Sequence, residues 1–411
     1  MKQIYKSYKY KLLPTEEQKV LLGKHFGCIR FVYNHFLTER RREYEESKHA
    51  LTYVDNANAM AQLKKQEEYI WLKEVNSQAL QCSLRNLDLA YVNFFKKRAQ
   101  FPRYKSKRNK NSFKIPQHVS VKGNKLFAPK FREGIKFIEH RKLQGKIKNC
   151  TLTKTTTGEF FVSFLCLVEH KPIEKTGKKV GIDLGLKDYC ITSDEYKYKN
   201  NRYFKTYEKR LKREQQHLFR KQKDSNRYNK QKHKVAVIHK KITNSRTDTL
   251  HKISSELINK YDIIYMEDLN VQGMMSKSKP KKDENGKYLP NKRKAKAGLS
   301  RSIADVSWAT FTSMLEYKAQ WNDKQIIKID RYFPSSKTCS ECGFVYQSLS
   351  LNQRTWTCPN CKTKLDRDFN AAKNILKEGR KISDGIADYR RGDKIRPALA
   401  GIINETSKIQ V

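Results

Sequence analysis

The chain has 411 residues, 87 of them Lys or Arg against 42 Asp or Glu, giving a formal net charge of +45 that favours polyanionic partners. Hydrophobic residues at 37% and aromatics at 11% supply cores for two or three modules and exclude a chain disordered throughout. The longest apolar run, FFVSFLCLV at 160–168, is far short of the ~20 residues that span a bilayer and reads as a strand. The opening MKQIYKSYKYKLLP lacks an apolar h-region and a small-residue cleavage site, so no signal peptide is expected. A reducing cytosol follows, in which the nine cysteines are expected as thiols or metal ligands.

Residues 2–13 alternate basic with apolar or aromatic side chains and read as a strand that Pro14 stops. Tyr5, Tyr8 and Tyr10 with Lys6, Lys9 and Lys11 fit contact with nucleic acid as well as they fit an ordinary barrel strand. Thr15 and Gln18 have capping-box spacing, so a helix is expected to begin there. A 3.6-residue apolar recurrence through VLLGKHFGCIRFVYNHFL and YIWLKEVNSQALQCSLRNLDLAYVNFF predicts a helical lobe. Between 96 and 114, Phe101, Tyr104 and Phe113 interleave with cations, as in a surface that stacks on bases and neutralises phosphates, or in a solvated linker. Short β-prone runs from about 113 to 170 read as a small antiparallel barrel or sheet that residues 1–13 join.

In KKVGIDLGLKDYCIT, residues 180–184 and 189–192 read as strands around a turn at Leu186 and Lys187. Asp183 lies between Gly181 and Gly185; glycines there open room for a close backbone approach, such as a nucleic-acid phosphate, although a capped turn explains the same aspartate. Residues 203–260 are basic, with Leu211, Leu218, Val235, Ile238, Ile242, Leu250, Ile253 and Leu257 spaced for a helical hairpin. YDIIYMEDLN reads as a buried strand ending on Glu267 and Asp268, acids that are costly there unless paired or metal-bound. Residues 276–297 are Lys-rich with Pro and Gly and no apolar period, which predicts a mobile loop. Order is expected to resume at 301, where Ile303, Trp308, Phe311, Leu315 and Ala319 form one core-facing helix stripe ending near Trp321, before a strand in QIIKIDRYF. The ten scattered histidines form no constellation and are assigned no role.

Cys339-x-x-Cys342 and Cys358-x-x-Cys361, fifteen residues apart, are the pattern of a four-thiolate zinc ribbon, and a site with all four positions filled by protein is structural. Gly343 follows the first knuckle, but Lys362 follows the second, where a small residue would ease the turn. Asp366 and Asp368 then open a helix. The order of strands, long helices, strand, helix, strand, ribbon and helix is that of an RNase H-like α/β domain with insertions. Acids at three element ends are what two divalent ions need to clamp an in-line phosphodiester displacement.

The stretches GIDLG, YMEDLNVQGM, SSKTCSECG and LDRDFNAAKNIL resemble TnpB, the RNA-guided DNA nuclease family of insertion-sequence transposons, whose RuvC core is shared with compact type V CRISPR effectors and Fanzor proteins. The likeness extends through YKYKLLPTEEQ, FGCIRFVYNHFL, NSQALQCSLRNLDLAYVNFF, FPRYKSKR and RGDKIRP, nearly the whole chain. It implies an α+β multidomain protein: a wedge-like β-barrel at 1–13 and 110–172, a helical recognition lobe at 14–109, an RNase H-like RuvC nuclease domain at 178–333 and 366–385, an inserted zinc ribbon at 334–365 and a flexible tail at 386–411.

The resemblance further places the catalytic acids on Asp183, Glu267 and Asp368, holding two Mg²⁺ ions that activate water and stabilise the leaving 3′ oxygen, with one structural Zn²⁺ on Cys339, Cys342, Cys358 and Cys361. Spacing by itself does not choose between Asp366 and Asp368; Asp268 and Asp366 become bystanders or supporting groups, and Arg367 would contact the scissile phosphate or a neighbouring acid. Leu365 stands where the family commonly has His, and 276–297 is longer and more basic than the family pattern. The implied partners are a guide RNA of omega type or a CRISPR RNA, and double-stranded DNA beside a short transposon-adjacent motif. A monomeric ribonucleoprotein acting at the nucleoid in bacterial or archaeal cytoplasm, without a membrane, is expected. Rival readings are a guide-dependent DNA-binding regulator that does not cut, an RNase H-like transposase, and a basic RNA-binding scaffold.

Overall fold

In the computed structural model, which describes residues 1–107, 111–350 and 352–385, the even positions of β1 (Lys2–Leu13) face inward: Ile4, Tyr8, Tyr10 and Leu12 are buried, whereas Tyr5 is exposed. Tyr8 and Tyr10 are therefore core residues, not a nucleic-acid surface. Tyr10 packs against Phe137 and Phe164 with ring centroids 5.0 and 6.0 Å away and donates its hydroxyl to Arg141 O at 3.0 Å. The expected tail at 386–411, with its RGDKIRP motif, lies outside the described residues.

The capping box is present. Gln18 N–H donates to Thr15 Oγ1 at 3.3 Å and Thr15 N–H to Gln18 Oε1 at 3.2 Å, which starts the 32-residue α1 (Glu16–Ser47). α2 (Tyr53–Leu63) and α3 (Ser77–Phe95) follow, and α3 packs on both through buried leucines such as Leu80, Leu84 and Leu87. His25 is a satisfied core histidine: its Nδ1 lies 2.8 Å from Leu21 O, its Nε2 accepts from Asn76 N–H at 3.1 Å, and burial lowers its pKa.

The strands β2 (Asn111–Ile115), β3 (Ser120–Lys122), β4 (Lys125–Ala128), β5 (Phe131–Ile138), β6 (Lys146–Lys154) and β7 (Phe160–His170) complete an antiparallel sheet of order β2-β6-β7-β1-β5-β4-β3. Its two ends are not paired with each other among the described residues, so the ladder is an open sheet and not a closed barrel. Phe113 is buried in β2 and unavailable for stacking, while Phe101 packs edge-on against Tyr91 and Phe94. These elements with Tyr207–Ile242 form one unit of the chain; Ile173–Thr206 and the residues from Thr243 onward form a second.

The second unit is built on a five-stranded sheet. β8 (Lys179–Leu184), β9 (Asp188–Thr192) and β10 (Lys197–Lys199) run antiparallel, and the helices α4 (Tyr203–Phe219) and α5 (Asn226–Lys260) lead to β11 (Ile263–Glu267), which pairs parallel with β8. After α6 (Val271–Met274), a hairpin of β12 (Lys281–Lys282) and β13 (Tyr288–Leu289) precedes α7 (Arg293–Val306) and α8 (Trp308–Trp321). Then β14 (Gln325–Ile329) closes the order β10-β9-β8-β11-β14. The segment 276–297, read from sequence as a mobile loop, contains a hairpin and the start of a helix. Ile303, Trp308, Phe311, Leu315 and Ala319 are buried as expected, but on two helices, because Ser307 at φ 60° breaks the expected single one.

Alternation along the strands separates two apolar layers. Val180, Ile182, Ile264 and Met266 pack with side chains of α5, α7 and α8. Tyr265 faces the other way, toward Ile329 and Ile375. That second layer is covered by α9 (Arg367–Ser383), which follows the short pair β15 (Thr355–Thr357) and β16 (Lys364–Asp366). No helix among the described residues is long and apolar enough to cross a membrane.

Candidate active site and metal centre

Strand register brings the first two acids together. Met266 of β11 pairs with Ile182 of β8, so Glu267 and Asp183, one residue further on each parallel strand, stand side by side, about 4.8 Å apart along the ladder. Ile182 and Met266 point into the layer beneath α5, α7 and α8, so the next residue on each strand points to the α9 face. Asp368 lies in the first turn of α9 on that face.

Gly181 explains how close α9 comes. A Cβ there would lie 2.3 Å from Ala372 O and 2.5 Å from Leu376 N, so the glycine admits the backbone of α9. The close approach expected of a nucleic-acid phosphate is made by the protein's own helix. Gly185 serves the turn instead, where a Cβ would meet Asp188 O at 2.6 Å.

Poor hydration, followed by the charges of Glu267 and Asp368, raises the pKa of Asp183 to about 7, against a smaller lowering by Arg367. Burial also raises Glu267, opposed by Ser335 Oγ, which donates to Glu267 Oε1 at 2.6 Å. Asp366 is otherwise occupied. It caps α9 by accepting from the N–H groups of Asp368 at 2.9 Å and Phe369 at 3.2 Å, and it pairs with Lys197 at 3.1 Å. Asp268 pairs with Arg331. Of the two acids that spacing left open, Asp368 is the one whose charge reaches Asp183.

Two further residues at this site were given no role by the sequence. Ser335 opens the SSKTCSECG stretch, which carried the family likeness but gave the serine no role, and Arg354, in the interval between the two knuckles, reaches Asp368 Oδ1 at 3.2 Å. Beside Glu267 opens a cleft of about 230 Å³, lined in part by Trp308, Thr312, Ser313 and the Glu316–Lys328 ion pair.

The four knuckle thiols converge, with all ligand atoms within 4.8 Å of one another and the Cys339–Cys361 and Cys342–Cys358 sulfurs 3.6 Å apart. A tetrahedral zinc with ~2.3 Å bonds to sulfur sets the edges near 3.8 Å, so these side chains could hold a zinc ion. The two knuckles share one backbone: Gly343 N–H donates to Cys339 O and Lys362 N–H to Cys358 O, each at 3.0 Å, with Gly343 at φ 79° and Lys362 at φ 61°. The lysine takes the left-handed turn that a glycine takes in the first knuckle. Leu365, the departure from the family pattern, is buried beside Trp356, Leu349 and Cys358 and closes the ribbon's core.

Residues 163–278 match a family model described as "Probable transposase" of the OrfB IS605 kind, 308–375 match the Cas12f1-like TNB domain, and 1–49 match an OrfB IS605 helix-turn-helix domain, although here they form β1 and the single helix α1. A Streptomyces pristinaespiralis protein, provisionally named an RNA-guided DNA endonuclease, is 37% identical over 97% of this chain and 93% of its own length. InsQ of Escherichia coli K12, with the same provisional name, is 31% identical over 92% of each. A cryo-EM structure of a Cas12f1–sgRNA–target DNA complex aligns over 91% of this chain and 99% of that one at 16% identity, with a TM-score of 0.34, too loose to carry argument. These matches define the class as the IS605-type transposon proteins. The chain belongs to the TnpB family.

Proposed function

We propose that this chain is an RNA-guided DNA endonuclease that cuts double-stranded DNA beside a short transposon-adjacent motif. The observation that carries this reading is that Asp183 and Glu267 stand side by side on the α9 face of the sheet, with Asp368 in the first turn of α9 near enough for its charge, after that of Glu267, to help raise Asp183 to about 7. Such a cluster is costly without cations, and the sheet order β10-β9-β8-β11-β14 supports an RNase H-like, RuvC-type domain around it.

In this reading Asp183, Glu267 and Asp368 hold two Mg²⁺ ions, which when bound supply an activated water and charge neutralisation at the scissile phosphate. Ser335 orients Glu267, Asp366 fixes the start of α9, and Arg354 holds Asp368 until cations replace it. The four cysteines hold one structural Zn²⁺. A net charge of +45 suits a guide RNA and a heteroduplex, with sequence choice delegated to base pairing. The protein acts as a monomeric ribonucleoprotein at the nucleoid.

The test is to express the gene with its native flanks, sequence the RNA that copurifies, and challenge the complex with matching duplex DNA and Mg²⁺. Hydrolysed ends from the wild type and none from Asp183→Asn or Glu267→Gln, with DNA binding retained in both, is the expected result. Joined strands would favour a transposase, and cutting retained in either variant would overturn the site.

A further inference from the structure

We propose that the hairpin β12–β13 and the first turn of α7 form a contact for an unpaired nucleic-acid strand, with Tyr288 stacking on a base and Lys281, Lys282 and Lys287 neutralising the adjoining phosphates. Between 277 and 301 the chain carries ten Lys or Arg and two acids. Apart from Arg301, none of these cations meets a carboxylate among the described residues. A surface with that excess is complementary to a polyanion.

Charge alone would describe a solvated loop, but this segment is shaped. Asp283 N–H donates to Lys287 O at 2.9 Å, Lys287 N–H donates to Asp283 Oδ1 at 2.7 Å, and Gly286 supplies the positive φ of the turn. Asn291 Nδ2 donates to Lys279 O at 3.1 Å across the base of the hairpin. The strands nevertheless share only two residue pairs, and Tyr288 is 68% exposed, so no core supports them. Two-stranded hairpins of this kind are marginal in water, and one that displays an aromatic ring between lysines is suited to completion by a ligand.

The ligand's chemistry follows from the ring. Lys282 Nζ lies 5.0 Å from the Tyr288 centroid, which puts an aromatic face and a cation on one patch. A duplex hides its base faces, whereas a single strand offers a base to stack and a phosphate to neutralise at each step. Guide RNA and unwound DNA share that chemistry. The inference takes the class of partner from the proposed function, and a binding readout keeps the two separable.

The test uses the full chain and fluorescence anisotropy across salt, with single-stranded RNA, single-stranded DNA and duplex DNA of one sequence, each of about 20 nucleotides. Tyr288→Ala is expected to weaken single-strand binding about tenfold and leave duplex binding unchanged, with Tyr288→Trp restoring it. Lys281→Gln/Lys282→Gln/Lys287→Gln is expected to flatten the single-strand salt slope by about 2. A loss confined to RNA identifies a guide or transcript strand, one confined to DNA an unwound target strand, and an equal loss a site indifferent to the sugar. Wild-type affinities and slopes in both variants, or an equal loss on duplex, would overturn the proposal. All four side chains are exposed, so unchanged thermal melts are expected, and a chain that does not cut tests the hairpin equally well.

Discussion

Ser335 and Glu267 are joined by a 2.6 Å hydrogen bond, and the backbone that carries Ser335 is itself held by α9: Asn374 Nδ2 donates to Ser335 O at 2.8 Å and Asn370 Nδ2 to Thr338 O at 2.7 Å. One helix therefore presents Asp368 and steadies the partner of Glu267. Removing the hydroxyl with Ser335→Ala leaves Glu267 without the bond that favours its charged form. Cleavage is expected to fall about tenfold at neutral pH and to recover as Mg²⁺ or pH is raised, measured as rates on a fixed duplex target.

Asp183 gives the metal-free protein a pH dependence whose sign is fixed. Its folded pKa, about 7, lies above its ordinary 3.8. Its contribution is fully present below the ordinary value and is lost as pH rises through 7. Asp183→Asn is therefore expected to raise the melting temperature of metal-free protein at pH 8 and to lose that advantage at pH 4. In the wild type, apparent Mg²⁺ affinity should rise up to tenfold per pH unit below about 7 and level off above it, read by calorimetric titration.

Gly181→Ala tests the contact between β8 and α9. The added methyl meets Ala372 O and Leu376 N, backbone atoms that cannot turn aside. A stability loss of about 1–3 kcal/mol is expected in denaturant melts, with a larger loss of cleavage than of DNA binding because Asp368 moves with the helix.

The ribbon should respond to its metal and to its second knuckle independently. Chelation of zinc, or Cys358→Ser, is expected to release the strands around Trp356 and abolish cutting while the five-stranded sheet keeps its circular dichroism. Lys362→Gly removes a side chain from a left-handed turn and should stabilise the zinc-bound ribbon by about 1 kcal/mol.

Glu159 offers an acid-side prediction in the first unit. Hydrogen bonds from Lys240 and Lys11 hold its carboxyl at about 2, well below the ordinary 4.5. Its stabilisation is present above 4.5 and is lost as pH falls toward 2. With partial solvent screening, Glu159→Gln should cost about 1 kcal/mol at pH 7 and nothing below pH 2, compared by urea melts at both values.

Local signals are the legible ones. The Thr15 cap, the four-cysteine spacing and the strand carrying Asp183 each rest on residues a few positions apart, so each can be read from the amino-acid sequence. Signals that depend on distant partners cannot. Gly181 suits a ligand or a helix equally well until Ala372 is seen to occupy the space, and Asp366 differs from Asp368 only in that it caps α9. Tyr5, Tyr8 and Tyr10 look equivalent, although strand period sends Tyr8 and Tyr10 inward and Tyr5 outward. The break at Ser307 interrupts an apolar stripe without altering its spacing, so periodicity does not reveal it. Ser335 and Arg354 act through contacts across the fold; Ser335 opens the SSKTCSECG stretch, yet nothing beside it in sequence points to Glu267.

Because α9 is the last element among those described, the carboxylate cluster is completed late in synthesis. About 185 residues separate Asp183 from Asp368, an interval of roughly 10–40 s at ribosomal rates of about 5–20 residues per second. During that interval the strands carrying Asp183 and Glu267 are made, while the α9 face of their sheet is uncovered and Asp368 is absent from it. On the proposed function, a nascent chain is thus a binder before it is a blade, and a fragment ending before Asp368 is expected to bind nucleic acid without cutting it.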